Sequence, residues 1–207
     1  GRDITPAVID DVIRDYWVDL DRVILEGHSM GGTGSWNLGV HHPDRFAAIA
    51  PVCGNADRRA WDAWKPVKRR VRYEVPPRFA ELRNFLLDSV DPVTYAGNLL
   101  ALPALAAHGA QDDTVPVANS RNMADALKTL GCPVVYREFE NVRHWGFPND
   151  FYTTRWNWML AQRRNPAPER VRYKTATLRH DGAYWARIVR FIEPLKFAEI
   201  DARHLGE

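Results

Sequence analysis

Residues 23–32, VILEGHSMGG, decide the fold prediction. The apolar run Val23-Ile24-Leu25 suits a buried parallel strand, and helical spacing follows over Thr33–His41. Between them lies G-x-S-x-G, the pattern of a tight strand-to-helix turn that lifts a serine hydroxyl clear of a sheet; its two glycines are expected because side chains there would collide. The pattern predicts Ser29 as a nucleophile, with the backbone N–H of Met30 facing the oxyanion formed by its attack.

The rest of the chain alternates strand and helix patterns in the same way. An upstream helix is predicted from Thr5 to about Val18. Further strands are predicted at 46–52, 102–108 and 134–139, and further helices at 117–130 and 150–163. Such alternation predicts an α/β fold with a mostly parallel sheet and flanking helices.

Two segments depart from this alternation. Residues 55–101 carry Trp61, Trp64, the basic cluster 65–72 and a predicted helix near 79–87, and we interpret them as a lid-like insertion. After Asn165-Pro166-Ala167-Pro168 the pattern becomes that of antiparallel strands, at 171–178 and 184–192. The predicted organisation is therefore a catalytic domain over residues 1–165 and a short β-rich C-terminal extension over 166–207.

A base and an acid are expected downstream of the serine, because this fold supplies its triad in the order Ser, acid, His. Only His144 lies in the loop between the fourth strand and the last helix. The acid is expected after the third strand, where Asp112 and Asp113 are adjacent, and spacing does not choose between them. His28 and Trp145 adjoin the serine and the histidine, so both are candidates for lining the site.

Composition excludes several function classes. The formal charge of +2 is too small to indicate nucleic-acid binding, and no apolar run approaches the roughly 18 residues of a membrane span. Cys53 and Cys132 lie far apart and are predicted to be buried free thiols. No residue spacing is typical of a metal site, so we expect no cofactor. The sequence suits a soluble protein but leaves its compartment open, since a signal could precede Gly1.

Three motifs resemble the prolyl oligopeptidase-like branch of the α/β-hydrolases, which includes dienelactone-hydrolase-like and esterase relatives. They are GHSMGG at 27–32, HPDRFAAIAPVCG at 42–54 and LPALAAHGAQDDTVPVANS at 102–120, and the resemblance spans roughly residues 5–163. It implies a Ser-His-Asp triad whose acid stands three residues before the Val of D-x-x-V-P. Because Val115-Pro116 follows at that offset, the resemblance implies Asp112.

The resemblance also implies an activity and shows two departures. The expected reaction is hydrolysis of a peptide bond through an acyl-enzyme; a carboxylesterase, or a non-catalytic binding protein on the same fold, is the alternative. Only one helix precedes the Ser29 turn, so we expect an N-terminal part of the same protein to be missing, with the loop that supplies a second oxyanion donor. Trp145-Gly146 follows His144 where Gly often follows directly.

Overall fold

A four-stranded parallel sheet forms the centre of the chain in a computed structural model that describes residues 4–64 and 75–205. Its strands are β1 (Ile24–His28), β2 (Ala48–Val52), β3 (Ala104–Gly109) and β4 (Val134–Phe139). They lie side by side in chain order, and each neighbouring pair is parallel. All four carboxyl ends therefore meet at one edge of the sheet, the edge where α/β proteins place their ligand sites. The predicted parallel α/β sheet is confirmed.

Helices cover both faces of the sheet, and their bounds are α1 (Ile4–Asp15), α2 (Met30–His41), α3 (Arg58–Trp64), α4 (Ala80–Asp88), α5 (Ala118–Thr129) and α6 (Asn149–Leu160). One face packs against α2 and α5 through Trp36, Val40, Met123 and Leu127. The opposite face packs against α6, where Phe151 meets Leu105 and Ala107 of β3. β2 and β3 are buried along their whole length, and their side chains are apolar on both faces except for His108 near the end of β3.

The element bounds near the serine differ from the sequence prediction by a few residues. β1 continues to His28, three residues beyond the predicted apolar run, because its ladder with β2 runs to the pair His28–Val52. The following helix begins at Met30 and not at Thr33. Strand and helix are thus separated by Ser29 alone. Within the described residues β1 pairs only with β2, so its other edge has no strand partner in that part of the chain.

Residues between β2 and β3 contribute to the main core as well as to the surface. A 3₁₀ segment, Pro92–Leu99, buries Tyr95 and Leu99 against the face that carries α2 and α5. Its Asn98 side chain is buried and donates to the main-chain oxygens of Val40 and Lys174 at 2.8 and 3.0 Å. The basic cluster 65–72 lies outside the described residues, and a lid role for the 55–101 segment stays a prediction.

The C-terminal extension forms two small antiparallel sheets. Strand β5 (Arg170–Thr175) pairs with β8 (Ala198–Arg203), and β6 (Gly182–Ala183) pairs with β7 (Ala186–Arg187). Tyr173 of β5 is fully buried and donates its hydroxyl to the main-chain oxygen of His41. The Tyr173–His41 bond joins the extension to the end of α2. Asn98 adds a second link, because its side chain binds both Val40 of α2 and Lys174 of β5.

Of the strand predicted over 184–192, only Ala186–Arg187 forms a strand, β7, which pairs with β6. Tyr184 lies in the turn between these two strands with a positive φ of 53°; its N–H donates to Asp44, and its hydroxyl donates to the main-chain oxygen of Pro43. These contacts hold the turn against the residues that follow α2. The partner of β5 is instead β8, whose Ala198, Ile200 and Ala202 alternate with charged residues and give a weak apolar signal.

Two expectations from composition can be compared with the structure. Cys53 and Cys132 are both free and buried, as predicted. No helix among the described residues combines the length and the apolar character that crossing a membrane requires.

Gly27 makes the tight turn between β1 and α2 sterically feasible. A Cβ atom at this position would lie 2.3 Å from the main-chain carbon of Gly31, a distance that only a backbone shift could relieve. Gly31, the second glycine of the pattern, is different, because a Cβ there would meet no atom within 4 Å. The expectation that both glycines prevent collisions therefore holds for Gly27 and is wrong for Gly31.

Gly27→Ala should lower the free energy of unfolding by roughly 1–3 kcal/mol, as overpacking of a tight site does. The matched variant Gly31→Ala should leave it unchanged or raise it by up to about 1 kcal/mol, because alanine is the better helix former. Urea unfolding followed by circular dichroism measures both. Equal stability of the two variants would contradict this account of the turn.

Candidate active site

Ser29 lies between β1 and α2 with an unusual backbone conformation. Its φ and ψ are 57° and −115°, and a non-glycine residue with positive φ is strained. Hydrogen bonds hold it in place: its N–H donates to the main-chain oxygen of Val52, and its carbonyl accepts from the N–H of Thr33, both at 2.9 Å. Such a turn presents the hydroxyl at the carboxyl edge of the sheet and at the start of α2.

Met30 is the first residue of α2. A backbone N–H in the first helical turn has no acceptor within its own helix, and the positive end of the helix dipole lies there. The backbone of Met30 is thus available to a developing negative charge beside Ser29, while its side chain is 87% exposed.

Asp112 lies in the loop after β3, with its carboxylate buried and hydrogen-bonded on both oxygens. Oδ1 accepts from the N–H groups of Thr114 and Val115 at 2.8 and 2.9 Å. Oδ2 lies 2.7 Å from Nδ1 of His144 and 3.2 Å from Nε2 of His108. Burial alone would raise the pKa of Asp112, but these hydrogen bonds outweigh burial and hold the pKa well below its usual range. The carboxylate is therefore charged at neutral pH.

His144 comes from the loop between β4 and α6 and is 5% exposed. Because a charged carboxylate only accepts hydrogen bonds, Nδ1 of His144 carries a proton, and in the neutral ring Nε2 then holds a lone pair. This loop packs directly on Gly109, where a Cβ atom would lie 2.1 Å from the main-chain oxygen of Arg143. No hydrogen bond joins the Ser29 hydroxyl to His144 among the described residues.

His28 and Trp145 lie beside this pair. The Nε2 atom of His28 is 2.7 Å from the main-chain oxygen of His144, and the ring centroids of the two histidines are 4.8 Å apart. The centroid of the Trp145 ring lies 3.9 Å from that of His28, and Trp145 is 69% exposed. Because His28 directly precedes Ser29, these contacts place the His144 loop next to the serine turn.

The sequence prediction did not assign His108 or Cys53 to the site. His108 is fully buried, and its Nε2 lies near both Asp112 and the main-chain oxygen of Val115, at 3.2 and 3.1 Å. Both partners are acceptors, so Nε2 is protonated, and Nδ1, 2.7 Å from the Ser120 hydroxyl, can accept from it. The position of His108 in the sequence could have indicated its contact with Asp112, because His108 lies four residues before Asp112 near the end of a buried strand.

Two overlapping groups of possible metal ligands occur in the described part of the chain: His28, Cys53 and His144, and Cys53, His108 and Asp112. Cys53 belongs to both groups, and burial raises the pKa of its thiol to about 12. A metal needs the thiolate, and it would compete with the hydrogen bonds that Asp112 already makes. The donor chemistry therefore favours a hydrogen-bonded cluster at this place.

Asp113, the alternative acid, has a different environment. Its side chain is 56% exposed, and its carboxylate lies 3.3 Å from the guanidinium of Arg143. Of the two adjacent aspartates, Asp112 is the one that contacts His144.

The family of the chain follows from comparison with known proteins. The model of the prolyl oligopeptidase family matches residues 3–164. The chain belongs to this family. The match includes the four parallel strands, the Ser29 turn, Asp112 and His144, and it confirms the resemblance that the three motifs indicate.

Individual relatives share 31% sequence identity or less with the chain in the three comparisons that follow. An uncharacterized secreted protein of Arthroderma benhamiae is 31% identical over 144 residues, which is 63% of this chain and 14% of that protein. Among solved structures, an acylaminoacyl peptidase of Pyrococcus horikoshii is 25% identical, with a TM-score of 0.55, and covers 66% of this chain and 22% of its own. A thermostable esterase is 24% identical, with a TM-score of 0.54, over 78% of this chain and 36% of its own. The chain thus spans between about one seventh and about one third of the length of these three relatives.

Asp112→Asn should lower kcat for a p-nitrophenyl ester by roughly 10³–10⁴-fold, because an amide cannot hold the imidazole in the tautomer that leaves Nε2 free. Asp113→Asn is the matched control and should change kcat far less, since Asp113 is exposed and paired with Arg143. Initial rates of the purified, folded variants decide between them. If the larger loss came from Asp113→Asn, the acid would be Asp113.

Proposed function

We propose that this chain is the catalytic part of a serine hydrolase in which Ser29 is the nucleophile, His144 the general base and Asp112 the acid. The observation that carries the proposal is the 2.7 Å hydrogen bond from His144 to the buried Asp112 carboxylate, located beside a strained serine turn. Membership of the prolyl oligopeptidase family supports the same reaction.

The reaction proceeds in two acyl transfers. Ser29 Oγ attacks the substrate carbonyl while its proton passes to Nε2 of His144, and the oxyanion is stabilised by the Met30 N–H. Collapse of this intermediate breaks the bond to the leaving alcohol or amine, which takes the proton from His144, and leaves an acyl-Ser29 ester. A water molecule then attacks the ester, with His144 again accepting and returning a proton. Asp112 stays ionised and stabilises the imidazolium formed in both steps.

Ser29 and His144 must come into hydrogen-bonding contact for this sequence. Catalytic hydrogen bonds are often long or poorly aligned without substrate and tighten in the Michaelis complex. The His28–His144 contact already holds the base loop next to the serine turn. The first proton transfer therefore requires the serine hydroxyl or the imidazole to move until Oγ and Nε2 reach hydrogen-bonding distance.

Peptide bonds are the proposed substrate class. The family takes its name from an oligopeptidase, and one solved structure that matches the chain is an acylaminoacyl peptidase. Esters undergo the same acyl transfer with a better leaving group, so a short p-nitrophenyl ester is a suitable reporter even if the natural substrate is a peptide.

Ser29→Ala should abolish turnover of this reporter, with a loss on the order of 10⁴-fold or more, because no other group can form the acyl-enzyme. The measurement is kcat/KM for purified protein whose circular dichroism matches that of the wild type. More than a few percent of residual activity would refute Ser29 as the nucleophile.

Wild-type turnover separates the proposal from its main alternative. A non-catalytic binding protein on this fold would show no turnover of esters or peptide p-nitroanilides above that of the Ser29→Ala variant. Hydrolysis of the ester with no hydrolysis of a panel of blocked peptide p-nitroanilides would instead favour a carboxylesterase.

A further inference from the structure

His28 is positioned to connect the nucleophile turn with the base loop. It is the last residue of β1, so its backbone is fixed by the ladder to Val52, and it directly precedes Ser29. Its side chain crosses to a part of the chain 116 residues away and meets the main-chain oxygen of His144 at 2.7 Å. The bond therefore links the backbones of the two proposed catalytic residues by a single side chain.

The direction of this bond follows from its acceptor. A carbonyl oxygen cannot donate, so Nε2 of His28 carries the proton, and Nδ1 holds a lone pair if the ring is neutral. Nδ1 is buried and has no hydrogen-bond partner among the described residues. A second proton there would be buried without an acceptor and next to His144, and burial accordingly lowers the pKa of His28. The geometry thus fits a neutral donor.

Trp145 packs beside the same bond. Its ring lies against that of His28 with centroids 3.9 Å apart and planes inclined by 36°, and it meets the His144 ring edge-on at 5.4 Å. The next residue, Gly146, has φ of 91°, a left-handed conformation that turns the chain after the tryptophan. The turn at Gly146 therefore allows the loop to place the Trp145 ring against His28.

Asp112 and His28 constrain His144 in two different ways. Asp112 fixes the imidazole through Nδ1, whereas His28 fixes the main chain that carries this imidazole. If the His144 ring were misoriented, or if its backbone were displaced, the distance from Ser29 Oγ to Nε2 of His144 would increase. The close packing of the loop on Gly109 constrains its backbone before His144, and the bond from His28 adds a constraint at His144 itself.

We propose that His28 is a positioning residue for catalysis: its Nε2–H donates to the main-chain oxygen of His144 and, with Trp145 packed against it, holds the base loop at the nucleophile. The inference rests on the proposed function, because it concerns how Ser29 and His144 are kept in register. His28 itself exchanges no proton with the substrate.

Two variants separate the donor from the rest of the side chain. Gln in His28→Gln places an amide N–H near the position of Nε2, whereas His28→Phe keeps a flat ring against Trp145 and removes the donor. We expect His28→Phe to lower kcat by about 10–100-fold with a much smaller change in KM, since misplacement of a reacting group by about 1 Å can cost this much. His28→Gln should recover most of the lost kcat.

The rates are expressed per active site titrated with a fluorophosphonate, so that loss of folded protein does not count as loss of kcat. If His28→Phe does not fold, His28→Val, which also lacks a donor and is smaller than histidine, replaces it. Wild-type kcat in the variant without a donor, or a loss in His28→Gln as large as in His28→Phe, would overturn the inference.

Turnover by the Ser29→Ala and His144→Ala variants is measured in the same assay as a control for the proposed function. If either keeps substantial turnover, the proposed function fails. If both lose turnover while His28→Phe does not, only the positioning role is refuted.

Discussion

The 2.7 Å hydrogen bond between Asp112 and His144 is the interaction on which the rest of this site depends. A buried carboxylate is costly unless its charge is met by hydrogen bonds. The loop after β3 meets that requirement with two of its own N–H groups and with His108, and His144 completes the set. Apart from His144, the groups that hold this charge lie at or just after the end of β3, and in the proposed mechanism the charge stabilises the imidazolium formed during acyl transfer.

The parallel sheet makes this arrangement possible. Because all four strands end at one edge, residues separated by 83 and 32 positions, Ser29, Asp112 and His144, occupy neighbouring loops. Close backbone contacts bring the loops together: the turn before Ser29 tolerates only glycine at Gly27, and the base loop lies directly on Gly109. The strain at Ser29 is retained because hydrogen bonds to Val52 and from Thr33 fix both sides of its peptide unit.

Sequence was sufficient for the fold class and the family because the relevant signals are local. The apolar runs of β2 and β3, and the glycine at position 27, follow from burial on both faces and from a single close approach. Other features depend on contacts between distant residues. β5 pairs with β8, in which Ala198, Ile200 and Ala202 alternate with charged residues and give a weak apolar pattern. Tyr184 lies in a strand-like sequence pattern but adopts a turn, where it hydrogen-bonds to Asp44 and Pro43. His108 was not predicted to belong to the site and His28 was predicted only to line it, since their partners, Asp112 and the His144 carbonyl, are identified only by the three-dimensional arrangement.

The central claim is that Ser29, His144 and Asp112 form one reacting unit, and a crystal structure of the protein after reaction with a fluorophosphonate tests it most directly. The account predicts a phosphonyl group covalently bound to Ser29 Oγ, with one oxygen directed to the Met30 N–H. Nε2 of His144 should then lie within about 3.2 Å of the adduct, with the Asp112 bond intact. An unmodified Ser29, or a phosphonyl group on any other residue, would contradict the account.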